Sequence, residues 1–506
     1  MNSKCVSRRI ALGNHQLTFV LLLLIGLGLR LAFLFQPMCH DETVNYLYFA
    51  IPPLKYGLST YPYPNNHLFN TFFIHFTTKI FGNSPWAIRL PAFSAGLLLI
   101  PLTYFVFKAL YNEKVALLSM ALVVPFSQLI EYSTNARGFT IQTSIVLASI
   151  IIGFQLMKKP KKFYWIWLTI LFALGFYTIP TMLYFFVGIV LWMVISLIFG
   201  EVGEKKSAFI LKLTILCICT ICFVVLLYSP IIIKSGLSSI TSNPWVKALT
   251  WEEFFRSIPS SLHEYWKSWT AGLPLPISVV IVLCLIFSTI LHKRTGKSRV
   301  NLLYPVIGSC ILIVIAQRRC PPSRVWLPIL PLFLGFSAVG LCFLYDEIMK
   351  KLDKRKHLLS FDLFPILCLL IAVFLGICTV WSQSPYQPPD QVTFRDAEKV
   401  TKFFGENLRS GDIIYIEPNV RKPLEYYFYI NKIPSSYIYK YPEDKGKKYT
   451  GIKRAFVIDV GRERKIYGLD TALRFSNLSR GHTFYYKMVA NFSKSSIFEI
   501  LNPVLQ

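Results

Sequence analysis

The chain has 506 residues, 54% of them hydrophobic and 15% aromatic, with a formal net charge of +27 and a mean hydropathy of +0.49. Soluble domains are roughly 45–50% apolar and seldom gather those residues in long runs, whereas here runs of about 17–25 apolar residues recur, enough to cross a hydrocarbon core of roughly 30 Å. A soluble protein is excluded, and nucleic acid is not the partner that the basic excess implies: much of it sits in KKPKK from Lys158, HKRTGKSR from His292 and KKLDKRKH from Lys350, short clusters between apolar runs that mark cytoplasmic loops.

The first apolar run, Leu17 to Phe35, is too long for a signal-peptide core and lacks a small-residue cleavage site, so it reads as a retained span. Lys4, Arg8 and Arg9 precede it and predict a cytoplasmic amino terminus. Next comes MCHDETVNYLYF, which sets His40, Asp41 and Glu42 where the chain leaves the lipid. Further runs begin near residues 86, 115, 139, 163, 180, 208, 277, 301, 325 and 360, predicting about eleven spans. Alternation from the amino terminus puts KKPKK, EKK at Glu204, HKRTGKSR and KKLDKRKH all on the cytoplasmic side. It leaves residues 36–85, 230–275 and everything after about 383 on the outer side.

The expected fold is therefore a polytopic α-helical membrane protein, residues 1–383, followed by a small extracytoplasmic α/β domain, residues 384–506. In that tail FRDAEKVTKFFGENL reads as an amphipathic helix, GDIIYIEP and RAFVIDV as strands, and PLEYYFYI as a helix or strand. No internal repeat of the transporter kind is present. Most of the eleven cysteines lie in apolar runs, where they behave as small buried hydrophobes without zinc-site spacing. Cys39 and Cys320 flank charged residues on the outer side, and whether they pair is a question sequence leaves open.

Polar residues on the outer side cluster near span ends. Asp41 and Glu42 follow the first span, Asn65, Asn66 and His67 lie in YPYPNNHLFN, Arg89 in PWAIRLPAF and Arg137 in EYSTNARGF. Arg318, Arg319 and Arg324 surround the short turn RRCPPSR. Any one such charge commonly only snorkels to the headgroups. Together, carboxylates, an imidazole and guanidiniums on one face equip a group transfer involving phosphate: a carboxylate deprotonates a hydroxyl, and Arg and His neutralise the departing phosphate.

These motifs, in this order, resemble the GT-C-fold glycosyltransferases that use polyprenyl- or dolichyl-phosphate-linked sugars. The nearest in pattern are bacterial proteins related to protein O-mannosyltransferases and to the aminoarabinose transferase acting on lipid A. The resemblance rests on Asp41-Glu42, PNNHLFN, FGNSPWAIRLPAFSAG and EYSTNARGF over about the first 150 residues, and more weakly on SRVWLPILP. It implies seven shared membrane helices, variable later ones, and outer-loop amphipathic helices roofing a cavity. It also implies inversion by single displacement, with Asp41 or Glu42 as the catalytic carboxylate and the other as partner or anchor. His67, Arg137, Arg318, Arg319 and Arg324 would bind the donor phosphate, and Asn66 and Arg89 would anchor loops. The chain departs from the family at His67, followed by Leu68 and Phe69 where many relatives have two prolines. It also lacks the acidic residue that accompanies the basic one in the aminoarabinose enzymes.

The expected function is transfer of a monosaccharide from a polyisoprenyl-phosphate donor to a hydroxyl of a lipid, glycan or protein, in a multi-pass cell-membrane protein. The residues name no certain cofactor, and a divalent metal is left open without a clear site to hold it. The alternatives are a flippase or ion-coupled carrier of lipid-linked or anionic substrates, and a non-catalytic GT-C-like scaffold. Scarce acidic groups within the spans speak against the carrier. The tail, free of any carboxylate pair beside lipid, is expected to position the acceptor or a partner, or to brace the outer loops, without performing chemistry.

Overall fold

The computed structural model describes residues 3–62, 64–241, 247–353, 362–386, 393–440, 443–444, 452–460 and 485–501. The end of the basic run KKLDKRKH, residues 354–357, lies outside the described residues. The chain forms two compact units. The larger comprises Met1–Phe35, Phe49–Gly82 and Trp86–Asp390, and the smaller Gln36–Tyr48, Asn83–Pro85 and Gln391–Gln506.

In the larger unit every one of the apolar runs becomes helical. Among the described residues seven helices are long and apolar enough to cross a membrane, or eight if the bent pair Glu113–Val123 and Ser127–Ser133 is one span. Lys162–Thr178, Met182–Ile198 and Leu303–Gln317 are apolar but only 17, 17 and 15 residues long. The expected eleven spans are thus not established by helix length, although the protein is membrane-embedded.

The bent pair turns by 69° where Pro125 interrupts the run, because proline has no N–H to give and clashes with the preceding turn. Fully buried Arg30 stitches the break. Its Nη1 donates to Val124 O at 3.2 Å and to Gly26 O at 3.2 Å, and its Nε donates to Ser133 Oγ at 3.1 Å. Ser133 in turn sits against Gly96 of the Pro85–Leu110 helix, where a Cβ would fall 2.0 Å from its Oγ. Only glycine lets the two helices approach this closely.

The second long loop contains the amphipathic helix Trp251–Trp269, started by a capping box in which Thr250 and Glu253 satisfy each other's backbone N–H groups. Trp251, Phe255, Leu262 and Trp266 are exposed along it.

The smaller unit carries a four-stranded mixed sheet of order β1-β2-β4-β3, with β1 Asp412–Tyr415, β2 Arg454–Asp459, β3 Tyr486–Asn491 and β4 Ser496–Ile500. β1 and β2 run parallel, and the β2–β4 and β3–β4 pairs antiparallel. The expected tail helix is Ala397–Asn407, and PLEYYFYI resolves as helix, within Pro418–Ile430. Ile413, Tyr415, Ala455, Val457 and Ile500 form part of its core.

Candidate functional site

The carboxylate pair belongs to the smaller unit. Cys39 precedes the short helix His40–Asn45, and Glu42, its third residue, turns back so that its Oε1 accepts the Cys39 N–H at 2.9 Å. Glu42 is buried, whereas Asp41 beside it is only half-buried. The two carboxylates, adjacent in the sequence, thus have different surroundings. The spacing Cys39-x-x-Glu42 was the available signal: it is a capping box with cysteine in the place of serine.

The tail helix Pro418–Ile430 holds this segment. His40 Nδ1 lies 2.6 Å from Asn419 O, and the Met38 N–H donates to Tyr427 OH at 3.4 Å. Cys39 forms an antiparallel bridge with Thr393, and the Tyr46 ring meets Tyr426 edge-on at 5.9 Å. Lys422 donates to Tyr48 OH and pairs with Glu425 at 2.9 Å, while Arg421 reaches Glu425 at 3.0 Å and Glu443 at 2.8 Å. Arg421, Lys422 and Glu425 are buried charges at helical i, i+3 and i, i+4 spacing, which the charge-rich stretch VRKPLEYY concealed as ordinary surface. Burial lowers the His40 pKa; Asp41 opposes the shift and Lys422 and Arg421 add to it. Among the described residues neither Cys39 nor Cys320 forms a disulfide.

In the larger unit two loops bind one another. The imidazole of His67, the residue before the Leu68–Phe81 helix, accepts the Gly138 N–H on Nδ1 at 2.8 Å. Asn70 Nδ2 donates to Ala136 O at 3.0 Å, and Arg137 donates to Asn65 Oδ1. A Cβ on Gly138 would lie 3.2 Å from the His67 ring and 2.8 Å from Thr178, so glycine permits the approach. His67 stands edge-on to Phe139 at 5.0 Å, and the Arg137 guanidinium lies 5.5 Å from that same ring.

Because Nδ1 accepts, the neutral ring carries its proton on Nε2. That nitrogen lies 3.4 Å from Arg137 Nη2, so two N–H donors converge. Burial above all, then the charges of Arg137 and Arg324, hold the His67 pKa well below the ordinary 6.5. Burial pushes the Tyr61 hydroxyl up to about 12, with Arg137 opposing.

His67, Arg137 and Arg324 therefore share one electrostatic neighbourhood. Arg318 and Arg319 serve another place. The Arg318 guanidinium lies 5.5 Å from the Trp251 ring and its carbonyl accepts the Leu249 N–H at 3.2 Å, while Arg319 Nη1 donates to Lys247 O at 3.1 Å. Asn66 ties its own loop, donating to Gly57 O at 2.8 Å and Thr60 O at 3.0 Å and accepting from Thr71 at 2.9 Å. Fully buried Arg89 donates to Leu34 O at 2.7 Å, at the end of the first helix. Sequence reading missed Arg30 and the buried carboxylate of Glu131. Among the described residues no three His, Cys, Asp or Glu side chains gather as metal ligands.

A largely helical membrane unit and a small sheet-bearing unit, with cationic groups at helix-connecting loops, agree with the GT-C fold that the sequence motifs resemble. Residues 66–228 match the family model of dolichyl-phosphate-mannose-protein mannosyltransferases, a range that includes His67, Arg89 and Arg137 and begins after Asp41 and Glu42. The chain is similar to ArnT from Cupriavidus metallidurans in the apo state, with a TM-score of 0.58 and 12% identity over 95% of this chain and 97% of that one. It is also similar to the same protein bound to undecaprenyl phosphate, with a TM-score of 0.55 and 8% identity over 95% and 97% of the two chains. The Archaeoglobus fulgidus oligosaccharyltransferase matches with a TM-score of 0.54 and 12% identity, over 94% of this chain and 72% of that one. No curated protein sequence matches. The chain thus resembles the ArnT-like and protein-mannosyltransferase-like enzymes and has their fold.

Proposed function

We propose that this protein transfers a monosaccharide from a polyisoprenyl-phosphate-linked donor to an acceptor hydroxyl on the outer face of the membrane, with inversion. The observation that carries this reading is the convergence of His67 and Arg137 donors within the field of Arg324. An imidazole kept neutral beside guanidiniums gives hydrogen bonds to an anion without needing a second proton, and guanidinium pairs with phosphate in a planar fork. That ArnT has been observed with undecaprenyl phosphate supports a lipid phosphate as the anion.

The chemistry is a single displacement. The acceptor oxygen bonds to the anomeric carbon as the carbon–oxygen bond to phosphate breaks, and that bond's electron pair leaves with the lipid phosphate. Arg137, Arg324 and the His67 Nε2–H stabilise the charge that develops there. Asp41 takes the acceptor's proton as general base. Glu42 already accepts its own segment's N–H, which supports the anchoring role for it and the base role for Asp41. Arg318 and Arg319 fix the start of the Trp251–Trp269 helix.

The test is purified protein in liposomes with polyprenyl-phosphate donors carrying radiolabelled sugars. Label appearing on an acceptor, with free polyprenyl phosphate released, is the expected result. Movement of intact donor across the bilayer without bond cleavage would establish the carrier reading instead.

A further inference from the structure

A groove of about 490 Å³ lies where the Pro85–Leu110 and Phe139–Lys158 helices end, walled by Phe105, Ala109, Ile151 and Phe154. Lys108, Gln155 and Lys297 complete its lining. Both helices are long and apolar enough to span the membrane, so their last turns fall where hydrocarbon gives way to headgroups. An apolar groove at that depth suits a hydrocarbon chain.

The cations come from three separate elements. Lys108 ends one helix; its ammonium lies 3.4 Å from Glu113, which partly neutralises it. Lys158 ends the other and lies 5.6 Å from the Phe154 ring. Lys297 comes from the loop after the Leu275–Thr295 helix, pinned there because its N–H donates to Leu110 O at 2.9 Å and its Nζ to Lys108 O at 2.8 Å. Lys158 and Lys297 are exposed, and Glu113 is the one carboxylate paired with these three lysines among the described residues. Basic pockets between membrane helices hold anionic headgroups, and the apolar walls demand that the anion bring a chain.

We propose that this groove binds an anionic phospholipid, one acyl chain lying along Phe105, Ala109, Ile151 and Phe154 and the headgroup phosphate held by Lys158 and Lys297. The site is distinct from the His67–Arg137 cluster and does not depend on the transferase chemistry. It gives the protein a lipid requirement separate from its substrate.

Native mass spectrometry of the full chain, titrated with phosphatidylglycerol and with phosphatidylcholine of the same acyl chains, tests it. Phosphatidylglycerol should bind in preference. Lys158→Ala with Lys297→Ala should weaken it by about fivefold per lysine removed, as loss of one surface cation near an anionic lipid implies. Ala109→Phe, which fills the groove, should remove both lipids. Equal binding of the two lipids, or a preference unchanged in the double variant, would overturn the assignment. The two lysine changes lie at exposed positions, so they decide the matter even if Ala109→Phe fails to fold. The wild-type preference should also decline as salt is raised.

Discussion

At neutral pH His67 carries a single ring proton, and burial beside Arg137 and Arg324 makes a second one costly. Its folded pKa is depressed, whereas in the unfolded chain it titrates near 6.5. The stability linked to it is therefore whole above about pH 6.5 and is lost as acid protonates the unfolded state first, by about 1.4 kcal/mol for each tenfold difference in proton affinity between the two states. Thermal unfolding of wild type should fall more steeply from about pH 7 to about pH 5 than that of His67→Gln, whose amide oxygen can still accept the Gly138 N–H. Equal slopes would mean that His67 is not held neutral. The sequence displayed His67 and Arg137 because both sit at polar breaks between apolar runs. It hid Arg30, since a lone arginine near a span's end reads as snorkelling. It disguised the difference between Asp41 and Glu42, because the capping box that occupies Glu42 has cysteine at Cys39 in the place of serine.

At the scale of the helix, hydrophobic runs were enough to find the apolar helices but not the number that span the membrane, and the tail's amphipathic periodicity was enough for Ala397–Asn407. They could not show that the run from residue 115 breaks at Pro125 and turns by 69°, because periodicity carries no information about direction. That turn ends at Ser133, four residues before Arg137, and Gly96 and Arg30 hold it. Gly96→Ala drives a methyl group into Ser133 and should cost about 1–3 kcal/mol, the usual range for overpacking. Donor binding should weaken with it, because the loop bearing Arg137 moves. A thermal melt and a donor-binding isotherm check both, and an unchanged melt would show that the two helices have room to part at Gly96.

In the molecule as a whole, the segment carrying Asp41 and Glu42 falls in the same compact unit as the tail. Composition marked the tail as a separate α/β domain but could not show that Gln36–Tyr48 joins it, because that association depends on contacts some 380 residues apart in the chain, as between His40 and Asn419. Lys422→Met breaks the buried pair with Glu425 while Arg421 still reaches that carboxylate. It should cost about 3 kcal/mol, the low end for such a pair, and lower turnover with donor affinity kept; Lys422→Arg should restore much of both. Loss of donor binding in Lys422→Met would contradict this division of labour. The proposed orientation puts exposed Ser410 outside and exposed Lys293 inside. A cysteine at Ser410 should label with an impermeant reagent on intact cells, and one at Lys293 only after the membrane is opened. The most direct measurement is turnover of purified Asp41→Asn with a labelled polyprenyl-phosphate sugar. The amide preserves shape but cannot take the acceptor's proton, so turnover should fall by roughly 10²–10⁴-fold with donor binding and thermal stability unchanged. Turnover near that of wild type would contradict the assignment of Asp41 as the base.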